Sequence, residues 1–360
     1  MGKLIMRFRA SLLAICAVTL VVSPISLSAA QTVSGASGDW VVPRTSAGHP
    51  DLQGNWTNVT ATPIQRPTGQ GPVLAPDQIA AIEGMRERIV EAGAQASDPD
   101  RAAPEAGGTN PVCIDGATTC YNYVYWDAGD RVAIYNGEPR SSLITNPANG
   151  QIPPLTPAGA KQAAELQNFS SVLGDYDHPE SRPLAERCFM SYGSNAGPPM
   201  LPNYAYNNNY TIVQTPDHIL IMTEMVHDAR IIRIGDGPRL PEHIRPWMGD
   251  SWGHWEGDTL VIETTNLPLA QLNKHSYIYP GGSEQMRVVE RLTRVDESTI
   301  NYEFTVTDTG TYTLPWGGEV PMKRLNDLIY EYACHEGNYA LGNVLSGARY
   351  QERMDEQNRN

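Results

Sequence analysis

No apolar run in this chain is long enough to cross a bilayer as a helix, which takes about 20 residues. The longest, residues 11–22, falls short and is broken at Pro24. No phosphate-binding glycine loop, dinucleotide fingerprint or Gly-x-Ser-x-Gly elbow occurs, so nucleotide and serine-hydrolase chemistry lack their usual signatures. No second histidine follows a first at the helical spacing of a metalloprotease, and no Cys-x-x-Cys pair is present, so a zinc site fits poorly. Phenylalanine is scarce, with 4 residues against 17 Tyr and 7 Trp. Those two side chains carry an apolar face with a polar handle, which suits half-wet pockets as well as ordinary strand packing.

Basic residues are also short: 26 Lys and Arg stand against 40 Asp and Glu. Lys3, Arg7 and Arg9, with no acid among them, precede the apolar run, and Ser28-Ala29-Ala30 follows it. Basic, apolar, then small is the layout of a secretory signal peptide, with cleavage expected after Ala30. Ile15 before Cys16 is too large for a lipid-attachment site, and the apolar run continues past it. Cleavage would leave 23 basic residues against 40 acidic, a formal charge of −17. Such a chain repels phosphate backbones, so nucleic acid is not expected as a partner. A periplasmic or secreted protein with no transmembrane segment in its mature chain is expected.

Four cysteines remain after cleavage: Cys113, Cys120, Cys188 and Cys334. An even number in an exported chain points to disulfides, with three possible pairings. A short Cys113–Cys120 loop and a long-range Cys188–Cys334 tie are favoured.

Four segments are expected: 1–30 the signal peptide, 31–112 an irregular extension with one helix, 113–350 a β domain with one inserted helix, and 351–360 a polar tail. Ile79, Ile82, Met85 and Ile89 recur at helical spacing after Pro76. Thr156-Pro157 reads as a cap and first helical residue, opening a helix to about Phe169. From Tyr210 the pattern becomes alternating strands joined by tight turns, among them Glu256-Gly257-Asp258 and residues 296–298. Further strands are expected from Tyr312 and over residues 329–333. The fold class is mainly β: an antiparallel barrel of the calycin or lipocalin kind, or a sandwich.

Strand side chains alternate between faces. On that count Glu224, Asp228 and Arg230 share one face with Met222, Val226 and Ile232, while His227 lies opposite. Glu290 falls on an otherwise apolar face of residues 286–292, and Tyr302 on the apolar face of the next strand. If these faces point inward, Glu224, Asp228, Arg230 and Glu290 form one interior cluster, either acid–base machinery or a structural ion pair. His227 and His254 are further catalytic candidates. Trp252, Trp255, Tyr302 and His335 are candidates for ligand contact. His227, His254 and His335 could join as metal ligands only through the fold, and no metal or cofactor is expected.

Several motifs resemble those of a large group of exported bacterial proteins without an assigned activity. They are His49-Pro-Asp-Leu-Gln-Gly-Asn-Trp56, Arg140-Ser-Ser-Leu-Ile144, Ile152-Pro-Pro-Leu-Thr-Pro157, Glu186-Arg-Cys188, His227-Asp-Ala-Arg-Ile231, Trp255-Glu-Gly-Asp-Thr-Leu260 and Tyr330-Glu-Tyr-Ala-Cys-His-Glu-Gly-Asn338. The resemblance implies a bacterial, exported protein and brings no reaction with it. The residues themselves favour an acid–base enzyme needing no cofactor, a lyase, isomerase or hydrolase for a small organic or sugar-like molecule. A noncatalytic ligand-binding barrel and an envelope interaction protein are the alternatives.

Overall fold

The computed structural model describes residues 40–93, 129–191, 197–203, 206–227, 229–269 and 281–359. The expected signal segment, Cys113 and Cys120 with their expected pairing, and Asp228 lie outside them. The protein is mainly β, and its strands close into a barrel rather than stacking as a sandwich. Nine strands form the ring: β1 (Gly54–Thr57), β5 (Asn209–Gln214), β6 (His218–Thr223), β7 (Ala229–Ile234), β8 (Asp250–Glu256), β9 (Thr259–Thr265), β10 (Arg287–Arg294), β11 (Thr299–Thr307) and β12 (Trp316–Leu325). They are hydrogen-bonded in that order, and β1 pairs with β12 to close the ring. A short strand, β4 (Ile144–Asn146), adds to β12 from outside the ring. The small hairpin of β2 (Ile134–Tyr135) and β3 (Glu138–Pro139) is a second sheet.

An odd number of strands cannot alternate direction all the way round a closed ring, so one neighbouring pair has to run parallel. That pair is β7–β8. A parallel pair needs a crossover of a dozen or more residues, here residues 235–249. The crossover is pinned to the outside of the barrel. Asp250 pairs with Arg233 and accepts the Leu240 N–H at 2.8 Å. The Asn266 amide donates to the carbonyls of Leu240, Pro241 and Ile244 at 3.0–3.1 Å. A Cβ on Gly237 would stand 2.0 Å from the Trp252 ring, so only glycine lets the crossover lie this close.

Large side chains fill the inside of the ring. Ile212, Ile221, Ile232, Ile262, Val288, Leu292, Ile300 and Val320 are buried there, with Trp316 edge-on to Phe304 at 5.7 Å between ring centres. The alternation expected from Tyr210 onward produces this face. β1 does not follow from it. Four residues long, it lies in the stretch expected to be irregular, yet it is a strand of the ring. The strand expected from Tyr312 begins at Trp316, and residues 329–333 form no strand.

Helix α1 (Pro76–Gly93) and helix α2 (Pro157–Leu173) occupy the expected places. Thr156 caps α2 by accepting the Gly159 N–H at 3.0 Å. A third helix, α3 (Ala340–Arg359), runs through the expected polar tail. Its signal was present, since Leu341, Val344, Leu345 and Ala348 recur at helical spacing. Among the described residues no helix is long and apolar enough to cross a membrane.

Cys188 and Cys334 are disulfide-bonded across a sequence separation of 146. The bond fits an oxidising compartment. It holds the segment before α3 against residues 184–190, where the Asn338 amide donates to the Glu186 carbonyl at 3.1 Å. The double variant Cys188→Ser/Cys334→Ser should lose about 2–5 kcal/mol of stability. Urea denaturation of the oxidised wild type beside the variant measures it, and equal midpoints would show that the tie contributes nothing.

Candidate functional site

Two polar arrangements stand out, one inside the ring and one on its outer wall. Ile221 pairs with Arg230 across β6–β7, and Glu290 pairs with Ile262 and Phe304 across β9–β10–β11. Both charged residues therefore point into the apolar interior. Arg230 grips Glu290 with two nitrogens, Nη1 on Oε2 and Nη2 on Oε1 at 2.9 Å. The Tyr302 hydroxyl donates to Glu290 Oε1 at 2.9 Å and accepts the Met200 N–H at 2.8 Å. The Asn58 amide donates to the Tyr210 hydroxyl at 3.0 Å. Burial, then the Glu290 charge, pushes the Tyr302 phenol well above its ordinary value, and burial does the same for Tyr210.

Arg230 is 3% exposed and Glu290 not at all, so no solute reaches them while the core is closed. Two charges taken out of water must be paired to be tolerated, and the fork geometry here pairs them. The other two members of the expected cluster are elsewhere or undescribed. Glu224 sits just past the end of β6, buried, its Oε2 accepting from the Asn209 amide at 2.7 Å. The chain turns through Met225–His227, with Val226 at φ +66°. Residues 219–230 are thus two strands and a turn, and the alternation does not carry from Glu224 to Arg230. Asp228 lies outside the described residues.

The remaining candidates are dispersed. His227 is in that turn. His254 is exposed on the outside of β8, with Nε2 at 3.2 Å from Glu256. Trp252 is also on the outer face, under the Arg233 guanidinium at 4.3 Å. Trp255 packs against the core and stacks on His49 at 4.9 Å. His335 is exposed beside the disulfide at Cys334. Among the described residues no three His, Cys, Asp or Glu side chains are grouped to hold a metal.

The outer wall carries a cleft of about 150 Å³ where β4 joins β12. Its origin is the pair Gly317-Gly318. A Cβ at Gly318 would lie 2.1 Å from the Leu143 carbonyl, so glycine is what admits β4. The register slips between these glycines, an irregularity often found beside functional sites. Thr145 and Asn146 of β4 form one wall, and Val289 and Thr305 extend the floor.

Across the cleft runs a row of charges set by strand register: Arg291 on β10 opposite Glu303 on β11, itself opposite Glu319 on β12. Like charges directly opposed on a sheet repel, and the β2–β3 hairpin answers both. The Tyr135 hydroxyl donates to Glu303 Oε1 at 2.5 Å, and Arg140 binds Glu319 at 2.8 Å and Glu138 at 2.7 Å. Burial pushes the Glu319 carboxyl up against the pull of Arg140, and the charges of Glu303 and Glu138 add to the rise. Burial and the bond to Glu303 hold Tyr135 far above the phenol's usual range, as a neutral donor. One carboxylate thus accepts from a phenol beside another whose pKa burial raises, two neighbouring acids of the kind that acid–base work can use.

Sequence reasoning did not single out Glu319, Tyr135 or Arg140 as site residues. A glycine pair inside a strand is the signal that could have found the cleft. The comparisons of this chain with family models, with curated proteins and with solved structures give no match.

Two expectations follow from these geometries. Glu290→Gln leaves Arg230 buried without its counter-charge and should cost about 3–5 kcal/mol, whereas Glu290→Met with Arg230→Met should cost clearly less. Urea denaturation of both variants separates a structural pair from one without structural weight. Glu319 titrates above the ordinary 4.5 in the folded chain. Its contribution to stability is therefore complete below 4.5 and is lost as the pH rises through the higher folded value. Glu319→Gln should flatten that decline, read as denaturation midpoints between about pH 4 and 8. An unchanged pH profile would mean that Glu319 is not raised.

Proposed function

We propose that this chain is an exported acid–base enzyme that takes a small hydroxylated molecule into the outer cleft and moves protons on it with Glu303 and Glu319. The observation that carries the reading is the direct opposition of these two carboxylates across β11–β12, in a cleft that hydroxyl, amide and backbone groups line together with Arg291 and Val289. Glu303, accepting from Tyr135, is the base. Glu319, with its raised pKa, is the acid. Lyase, isomerase and hydrolase reactions need no more than such a pair, correctly placed. Arg230 and Glu290 hold the barrel and do not touch substrate. The signal-like first 30 residues and the Cys188–Cys334 bond support a periplasmic or secreted location, and the motif resemblance a bacterial one.

The test is a panel of sugars and small hydroxy acids incubated with the purified protein, with products followed by NMR. Glu303→Gln and Glu319→Gln should each lower turnover by about 100-fold or more while the fold and the binding of the converted molecule persist. Turnover that survives both changes would place the chemistry elsewhere. A wild type that binds in the cleft and converts nothing would support the noncatalytic ligand-binding reading instead.

A further inference from the structure

We infer that the molecule taken into the outer cleft carries a carboxylate, bound by Arg291, and so belongs to the small sugar acids; this rests on the acid–base reading of the cleft. Among the described residues that line it, Arg291 is the one cation. Its Nη1 reaches Glu256 at 2.9 Å, and the side chain stays 38% exposed. Glu256 is its only side-chain partner among the described residues, so the rest of the guanidinium keeps open N–H donors. That planar fork matches a carboxylate better than it matches a hydroxyl.

Register sets what would lie beside it. Arg291 and Glu303 are directly opposed on β10 and β11, and such neighbours hold their Cβ atoms about 5 Å apart. A carboxylate on Arg291 therefore sets its adjoining carbon toward Glu303. Pairing that carboxylate with a cation makes the adjoining C–H easier to ionise. Thr145, Asn146 and Thr305 supply partners for hydroxyl groups on the other side. A volume of about 150 Å³ holds a six-membered ring. The net negative charge of the chain opposes an anion at long range, but at physiological salt that repulsion is screened beyond about 8 Å.

Calorimetric titration with D-glucuronate and D-galacturonate, beside D-glucose and D-galactose, tests the inference on the full mature chain. The acids should bind at least about tenfold more tightly than the neutral sugars. Arg291→Ala should abolish that preference, and Arg291→Lys should keep part of it. Glu256→Gln, which releases the guanidinium, should preserve or strengthen it. Equal binding of acids and neutral sugars, a preference untouched in Arg291→Ala, or no binding of either acid at about 10 mM overturns the inference. If neutral sugars are converted by a Glu303- and Glu319-dependent reaction without any acid preference, the enzyme reading stands and this inference falls. If the acids bind through Arg291 and nothing is converted, the inference stands and the enzyme reading falls.

Discussion

Closure of the ring by β1 is the constraint on which the rest of this structure depends. Four residues bridge β5 and β12, and without them two long strands would present unpaired edges. The bridge is anchored by Trp56, fully buried, whose indole N–H donates to the Leu52 carbonyl at 2.9 Å. Arg294 and Arg324 lie over its ring at 5.7 and 5.4 Å. With β1 the ring has nine strands, an odd number that requires a parallel neighbour pair, and the sheet places that pair at β7–β8 with the crossover that serves it. Under that crossover the buried Asp250 pairs with Arg233, which is one third exposed.

A ring filled by its own side chains leaves the interior to structure and moves any chemistry to the wall. The Arg230–Glu290 pair illustrates the difference between a charged cluster and a site. The two carboxylate oxygens of Glu290 and the two terminal nitrogens of Arg230 are paired within the fold, and both side chains are shielded from solutes. Glu303 and Glu319 are the reverse case. They share a face that solvent reaches, they repel one another, and the two groups that relieve the repulsion come from a separate hairpin. The sheet tolerates an unfavourable cross-strand pair there, and the two carboxylates have different partners, Tyr135 on Glu303 and Arg140 on Glu319.

The fold was legible from Tyr210 onward because half-buried strands leave a period of two in the sequence. Ile219 and Ile221, Val288 and Leu292, and Tyr302, Phe304 and Val306 all lie inside as that period requires. What it could not carry was phase across a turn. Val226 adopts a positive φ, the chain reverses, and Glu224 parts company with Arg230. Nor could it find β1, which is too short to show a period and owes its place to partners more than 150 residues away. The long-range cysteine tie was legible for a different reason: the four cysteines expected to remain after removal of a signal peptide allow only three pairings.

The outer cleft was hidden because no local pattern encodes it. Glu303 reads as an ordinary solvent-facing residue opposite Tyr302 and Phe304, and Glu319 as another. Only register shows that they face each other, and register is a property of two strands together. The glycine pair at 317 and 318 is the single local clue, and its meaning depends on β4, whose approach it permits. A side chain at Gly318 would meet the Leu143 carbonyl and push β4 away with the wall formed by Thr145 and Asn146, and one at Gly317 would meet the Phe304 carbonyl of β11. Gly318 therefore makes room for β4, and the pair leaves open the space beside the two carboxylates, so the shape of the cleft and the environment of its acids share one cause.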